Sequence, residues 1–73
     1  MSELKYYALL KKFEAEALES KAILEAYFAN SVGIGEHPKI ITEMGKLLHK
    51  LADAEGKIEA LNKFITIREE KEE

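Results

Sequence analysis

The residues best suited to chemistry lie around the single proline of this 73-residue chain. Gly33 and Gly35 precede the proline, and His37 and Lys39 flank it. Backbone amides of a glycine-rich turn at a helix N-terminus, with a lysine beside them, can bind a small anion such as a nucleotide. The Gly-Lys-Ser/Thr of a Walker-type loop is absent, and Glu36 opposes an anion. We predict a tight interhelical turn, with Gly33, Gly35, His37 and Lys39 as an alternative ligand site.

Neither histidine indicates catalysis or metal binding. His37 lies at the expected positive end of a helix dipole, which disfavours the imidazolium, so we expect a neutral cap acceptor rather than a base. His49 is distant along the chain, and there is no cysteine, so we expect no metal site. No Ser/His/Asp or Cys/His arrangement can be assembled. We predict that the protein is not an enzyme and uses no cofactor.

Two long helices must flank the turn. Residues 2–31 contain no Gly or Pro and are rich in Ala, Leu, Glu and Lys, which are strong helix formers. From Ile40 to Ile65, apolar residues recur at alternating spacings of four and three, and Pro38 suits a first helical turn. The sequence predicts an all-α fold, a two-helix antiparallel hairpin with helices at about 2–31 and 38–70. Residues 1–73 form one domain, with the charged tail 68–73 expected to fray.

Each helix has an apolar face, and on its opposite side it carries a row of mostly small residues. At about 100° per residue, the inner face of the first helix carries Tyr6, Leu10, Phe13, Ala17, Leu24 and Phe28. We expect Phe28 to meet Ile40 and Ile41, and Ala17 and Ser20 to face Leu47, Leu48 and Leu51. The opposite stripe consists of Leu4, Ala8, Ala15, Leu18, Ala22, Ala26 and Ala29, and is either a close helix contact or simply exposed. Gly45 and Gly56 share the outer side of the second helix, which favours close backbone packing or tolerated flexibility.

Two helices alone cannot cover this much apolar surface. A core of this size is marginal without a disulfide, a metal or partner subunits. Pairing two hairpins into a four-helix bundle covers the wide faces, so we predict a homodimer or a higher oligomer. A hetero-oligomer is the alternative. The expected oligomer interface consists of Tyr6, Leu10, Phe13, Leu24, Phe28, Met44, Leu48, Leu51, Ile58, Leu61 and Ile65.

Composition excludes several other classes of partner. The formal net charge is −3 and bases are spread among acids, so binding to a nucleic-acid polymer is not expected. No run of roughly 18 apolar residues is present, so we expect no membrane partner. The N-terminus does not resemble a secretory signal, and the lack of cysteine fits a reducing compartment. We expect a cytoplasmic protein.

The segment YFANSVGIGEHP at 27–38, with the downstream ADAEGKIE at 52–59 and Leu61, resembles small helical-hairpin proteins encoded by tailed bacteriophages. The resemblance covers most of the chain and implies a phage accessory protein in the bacterial host cytoplasm, without an activity or ligand. The leading hypothesis is a non-enzymatic, oligomeric interaction protein that binds a host or viral protein. Sequestration of a small anionic ligand at the turn, and a virion structural or assembly-chaperone role, are the alternatives.

Overall fold

The chain forms an antiparallel helical hairpin. The computed structural model describes residues 3–29 and 39–72, with side chains through 69, and these residues form α1 (Glu3–Ala29) and α2 (Lys39–Glu72). The Tyr6 hydroxyl, near the start of α1, donates a hydrogen bond of 2.7 Å to Asn62 Oδ1, near the end of α2. Farther along α1, Lys21 pairs with Glu55 across 3.7 Å. The predicted all-α hairpin is confirmed.

Both helices are uninterrupted over long stretches of good helix formers. α2 extends through Glu72, beyond the end predicted near Glu70, because the tail consists of Glu, Lys and Arg, which favour helix. Fraying of the tail stays a prediction. Residues 30–38, which include the predicted turn, lie outside the described residues.

One row of side chains on each helix faces the other helix. The partly or fully buried positions of both rows alternate at spacings of four and three, so the rows remain in contact along the rod. The α2 row is the predicted apolar stripe in full. These residues are Tyr6, Leu10, Phe13, Ala17, Ser20, Leu24 and Tyr27 on α1, and Ile40, Met44, Leu47, Leu51, Ala54, Ile58, Leu61 and Ile65 on α2.

Phe28 is a correction to the sequence analysis. It was placed on the inner face, but its side chain is 74% exposed, and Tyr27 occupies the inner position instead. A straight helix advances 3.6 residues per turn, whereas a row that alternates four and three advances 3.5. The difference accumulates from Tyr6 onward, so by the end of α1 the inner row has moved back by one residue.

Small side chains form the tight centre of the hairpin. Ala17 and Ala54 are 6% and 1% exposed, and Ser20 is 3% exposed. Two helices cannot surround a large side chain completely, so only side chains as small as these are fully buried between the backbones. Ala17 lines a surface depression with Glu55 and Ile58, and Ser20 lines another with Lys50 and Asp53. The predicted packing of Ala17 and Ser20 against Leu47, Leu48 and Leu51 stays a prediction. No buried side-chain N or O among the described residues lacks a hydrogen-bond partner.

The molecule is a thin rod. Its principal extents are 59 × 16 × 14 Å, and its radius of gyration is 16.9 Å. A compact domain of this length has a radius of gyration of about 11 Å. The elongated shape leaves one whole side of each helix without a neighbour from the same chain.

Candidate interaction surfaces

The predicted ligand site at the turn is almost entirely outside the described residues. Gly33, Gly35 and His37 fall in 30–38, while Lys39 begins α2 and is exposed. The anion site therefore stays a prediction. His49 is exposed on α2. Within the part of the chain that the structure describes, no cluster of three or more His, Asp or Glu residues could hold a metal ion.

The expected oligomer-interface residues divide into two groups. Phe28 and Leu48 point outward, with exposures of 74% and 58%. The remaining nine lie in the row between α1 and α2 and are partly buried by the other helix of the same chain. A second chain can therefore reach only the outer edges of those nine, whereas most of the Phe28 and Leu48 side chains is accessible to it.

A larger set of exposed apolar side chains follows the flanks and outer sides of the helices. Ile23, Phe64 and Ile67 were not singled out from the sequence. Their places one or two positions from the inner row were the signal. Exposures range from 40% to 81% over Leu4, Tyr7, Leu9, Leu18, Ile23, Phe28, Ile41, Leu48, Phe64 and Ile67.

An apolar groove lies at the end of the rod where α1 begins and α2 approaches its end. Its volume is about 420 Å³. The Tyr6 ring is fixed there by the hydrogen bond to Asn62 and by an edge-on contact with Tyr7, with centroids 5.1 Å apart. Two basic residues accompany the apolar ones, and the lining consists of Lys5, Tyr6, Leu9, Leu61, Phe64, Ile65 and Arg68.

Exposed ion pairs cover much of the middle of the rod. Lys57 Nζ lies 3.0 Å from Asp53 Oδ2 and 5.3 Å from the centroid of the Phe13 ring. The hydrogen bond and the charge of Asp53 raise the pKa of Lys57 above 10.5, with a further contribution from Glu16, while desolvation opposes the shift. These pairs, like the one between Lys21 and Glu55, are solvent-screened and add little stability individually.

The two helical glycines face open space. A Cβ built at Gly45 or Gly56 meets no atom of the described residues within 4 Å, apart from the adjacent backbone of its own helix. The described residues of this chain therefore do not pack closely on either glycine, and close packing of another chain there stays a prediction. Within the described chain, tolerated flexibility is the explanation left, and neither position is needed for the contact between α1 and α2.

No family model matches the chain, and no curated protein or solved structure shows significant similarity to it. The resemblance to phage hairpin proteins stays an expectation. Neither of the helices in 3–29 and 39–72 combines the length and hydropathy needed to cross a lipid bilayer.

Proposed function

We propose that this chain is a non-enzymatic interaction protein, whose hairpins assemble into a homo-oligomeric helical bundle and whose remaining surface binds a host or viral protein. The observation that carries the proposal is the amount of exposed apolar surface. Leu4, Phe28 and Leu18 are 81%, 74% and 68% exposed, and they belong to a set that follows the whole rod. Large exposed apolar surface is typical of protein-interaction sites.

The total surface area supports the same proposal. A compact monomer of 8.3 kDa exposes about 4600 Å², whereas this chain exposes 5923 Å². The excess of about 1300 Å² exceeds the roughly 800 Å² that each partner contributes to a standard protein interface. A second copy is the partner that every expressed chain has available.

Thermal unfolding at two protein concentrations tests the self-association. If folding is coupled to assembly, the midpoint followed by far-ultraviolet circular dichroism rises between about 1 µM and 100 µM protein, by mass action. A concentration-independent midpoint, with full helicity and a monomer in light scattering at both concentrations, contradicts the proposal.

The open-end groove is the proposed site for the other protein. Its mostly apolar lining suits an apolar segment of the partner. Affinity capture from host lysate, with wild type and Phe64→Lys compared side by side, tests this assignment. We expect a partner retained by wild type and by the exposed-site control Lys12→Glu, but lost with Phe64→Lys. Equal capture by all three proteins contradicts the groove assignment.

A further inference from the structure

The side of α1 that faces away from α2 carries apolar residues that no other part of the hairpin covers. Apolar residues occur all round α1, so its amphipathicity is weak, whereas that of α2 is clear. A helix that is apolar on two sides is normally covered on both. α2 covers one side. The uncovered side is the α1 outer face. Its central row consists of Leu4, Lys11, Leu18 and Glu25. One flanking row consists of Tyr7, Glu14, Lys21 and Phe28, and the other, the alanine row, of Ala8, Ala15, Ala22 and Ala29.

The central row is self-complementary about Leu18. Lys11 precedes Leu18 by seven residues, and Glu25 follows it by seven. A two-fold axis through Leu18 therefore places Lys11 of each copy against Glu25 of the other, about 10 Å from the axis. The two Leu18 side chains meet at the centre. Opposite charges directly across an interface fix its orientation and disfavour alternatives.

Both flanking rows obey the same symmetry. In an antiparallel pair, Glu14 of one copy lies opposite Lys21 of the other, and Tyr7 lies opposite Phe28. On the other flank, each alanine meets an alanine, which lets the helix axes approach to about 8 Å. In this arrangement, each charged residue of the flanking rows lies opposite one of the other sign, each aromatic residue opposite an aromatic one, and each alanine opposite an alanine.

The surface around Leu18 has the shape that this contact requires. A shallow depression of about 380 Å³ is lined by Glu14, Ala17, Leu18, Lys21, Glu55 and Ile58. In a two-fold pair, the Leu18 side chains would meet at the edge of this depression. The existing pairs of Lys11 with Glu14 at 3.3 Å and of Lys21 with Glu55 at 3.7 Å are exposed. Because such pairs contribute little, both lysines can also engage the second copy.

We infer that the protein forms a two-fold symmetric dimer in which the α1 outer faces of two copies pack antiparallel, with Leu18 on the axis. This inference rests on the proposed self-association and specifies its surface. The competing arrangement stacks α1 of one copy on α2 of the other and separates the two Leu18 residues. The opposite charges of Lys11 and Glu25, and the facing alanines, favour the packing of α1 on α1.

A single introduced cysteine distinguishes the arrangements, since the chain has none of its own. With helix axes 8–10 Å apart and Cα atoms at a radius of about 2.3 Å, the Cα atoms of facing central rows are about 3.5–5.5 Å apart, a range that overlaps the Cα separation of disulfides. Mild oxidation of Leu18→Cys is expected to link most of the protein into covalent dimers. The control Ala60→Cys, exposed on the other side of the rod, is expected to stay monomeric on a non-reducing gel.

The outcomes separate this inference from the proposed function. A non-covalent dimer in which Leu18→Cys does not cross-link above the Ala60→Cys level overturns the α1 arrangement and leaves self-association intact. A monomer at about 100 µM overturns both, because mass action favours assembly at that concentration.

Charge exchange supplies a second, independent readout. Glu25→Lys is expected to weaken dimerisation at least about tenfold, since each copy then faces like charges at Lys11. The double variant Lys11→Glu/Glu25→Lys restores the opposite pairing and is expected to recover most of the affinity. Circular dichroism checks that the helices of each variant are unchanged. A double variant that dimerises no better than Glu25→Lys overturns the proposed pairing.

Discussion

Ala54 determines how closely the two helices approach at the middle of the rod. It is 1% exposed, so a larger side chain has little space there. We expect Ala54→Leu to lower the free energy of unfolding by about 1–3 kcal/mol, the usual effect of overpacking. Urea unfolding at a fixed protein concentration measures it. Ala60→Leu, at an exposed position of the same helix, is the control, and equal stability of the two variants contradicts the tight centre.

Gly56 offers the opposite kind of test. Its backbone faces open space, so a methyl group meets nothing within 4 Å. We expect Gly56→Ala to raise the free energy of unfolding by about 1 kcal/mol through helix propensity alone. A decrease, measured in the same urea experiment, would show that another chain packs against this backbone.

Lys57 makes a pH-dependent contribution. Its pKa is raised above 10.5 in the folded state by Asp53, so the folded chain binds this proton more tightly than the unfolded chain. The resulting stability is fully present below the ordinary lysine pKa and is lost as pH rises through the raised value. We expect the stability difference between wild type and Lys57→Met to shrink as the pH rises above the ordinary lysine pKa of about 10.4.

The matched control for Lys57 is Lys12→Met, an exposed lysine on α1. Chemical unfolding across the same pH range measures both differences. A difference for Lys57→Met that does not change with pH, or that grows as pH rises, contradicts the assigned role of Asp53.

At the scale of the elements, the contact between Tyr6 and Asn62 reports how the open ends of α1 and α2 pair. The bond is short, at 2.7 Å, but exposed. A double-mutant cycle of Tyr6→Phe and Asn62→Leu is expected to give a coupling energy of about 0.5–1 kcal/mol. A coupling energy of zero, from unfolding of the two single variants and the double variant, contradicts this pairing of the helix ends.

The two helices differ in how well their sequences predicted them. α2 carries a regular apolar row from Ile40 to Ile65 on a mostly polar helix, so its inner face was predicted in full. α1 is apolar on two sides, and its inner row drifts relative to a straight helix, so Phe28 was exchanged for Tyr27. The most buried side chains of the described residues are the small ones, Ala17, Ser20 and Ala54, because two helices cannot enclose a larger side chain completely.

The candidate surfaces were predictable only in part. Leu4, Leu18 and the alanines were recognised as a second stripe on α1, but a helical wheel cannot tell an exposed stripe from an interface. Phe64 contributes to the open-end groove only because Leu9 lies beside it across the hairpin, which requires the tertiary pairing. For the turn, the sequence left two interpretations, a structural turn and an anion site, and residues 30–38 lie outside the described residues.

At the scale of the whole molecule, shape and surface lead to one expectation. A rod of 59 × 16 × 14 Å with an accessible surface of 5923 Å² has no interior to hold its large apolar side chains. Hydrophobic burial is the dominant favourable term in folding and in most association, and a second rod supplies the missing half of a core. Covering the α1 outer face also gives the alanine row a packing partner.

Sedimentation equilibrium of the wild-type chain tests this central claim most directly. From about 1 to 100 µM, we expect the weight-average mass to rise from the 8.3 kDa of one chain toward at least twice that value, as mass action requires. Leu18→Glu, which places like charges on the two-fold axis, is expected to require a higher concentration for the same rise. A wild-type mass that stays at one chain across the whole range, with helicity intact, contradicts the account.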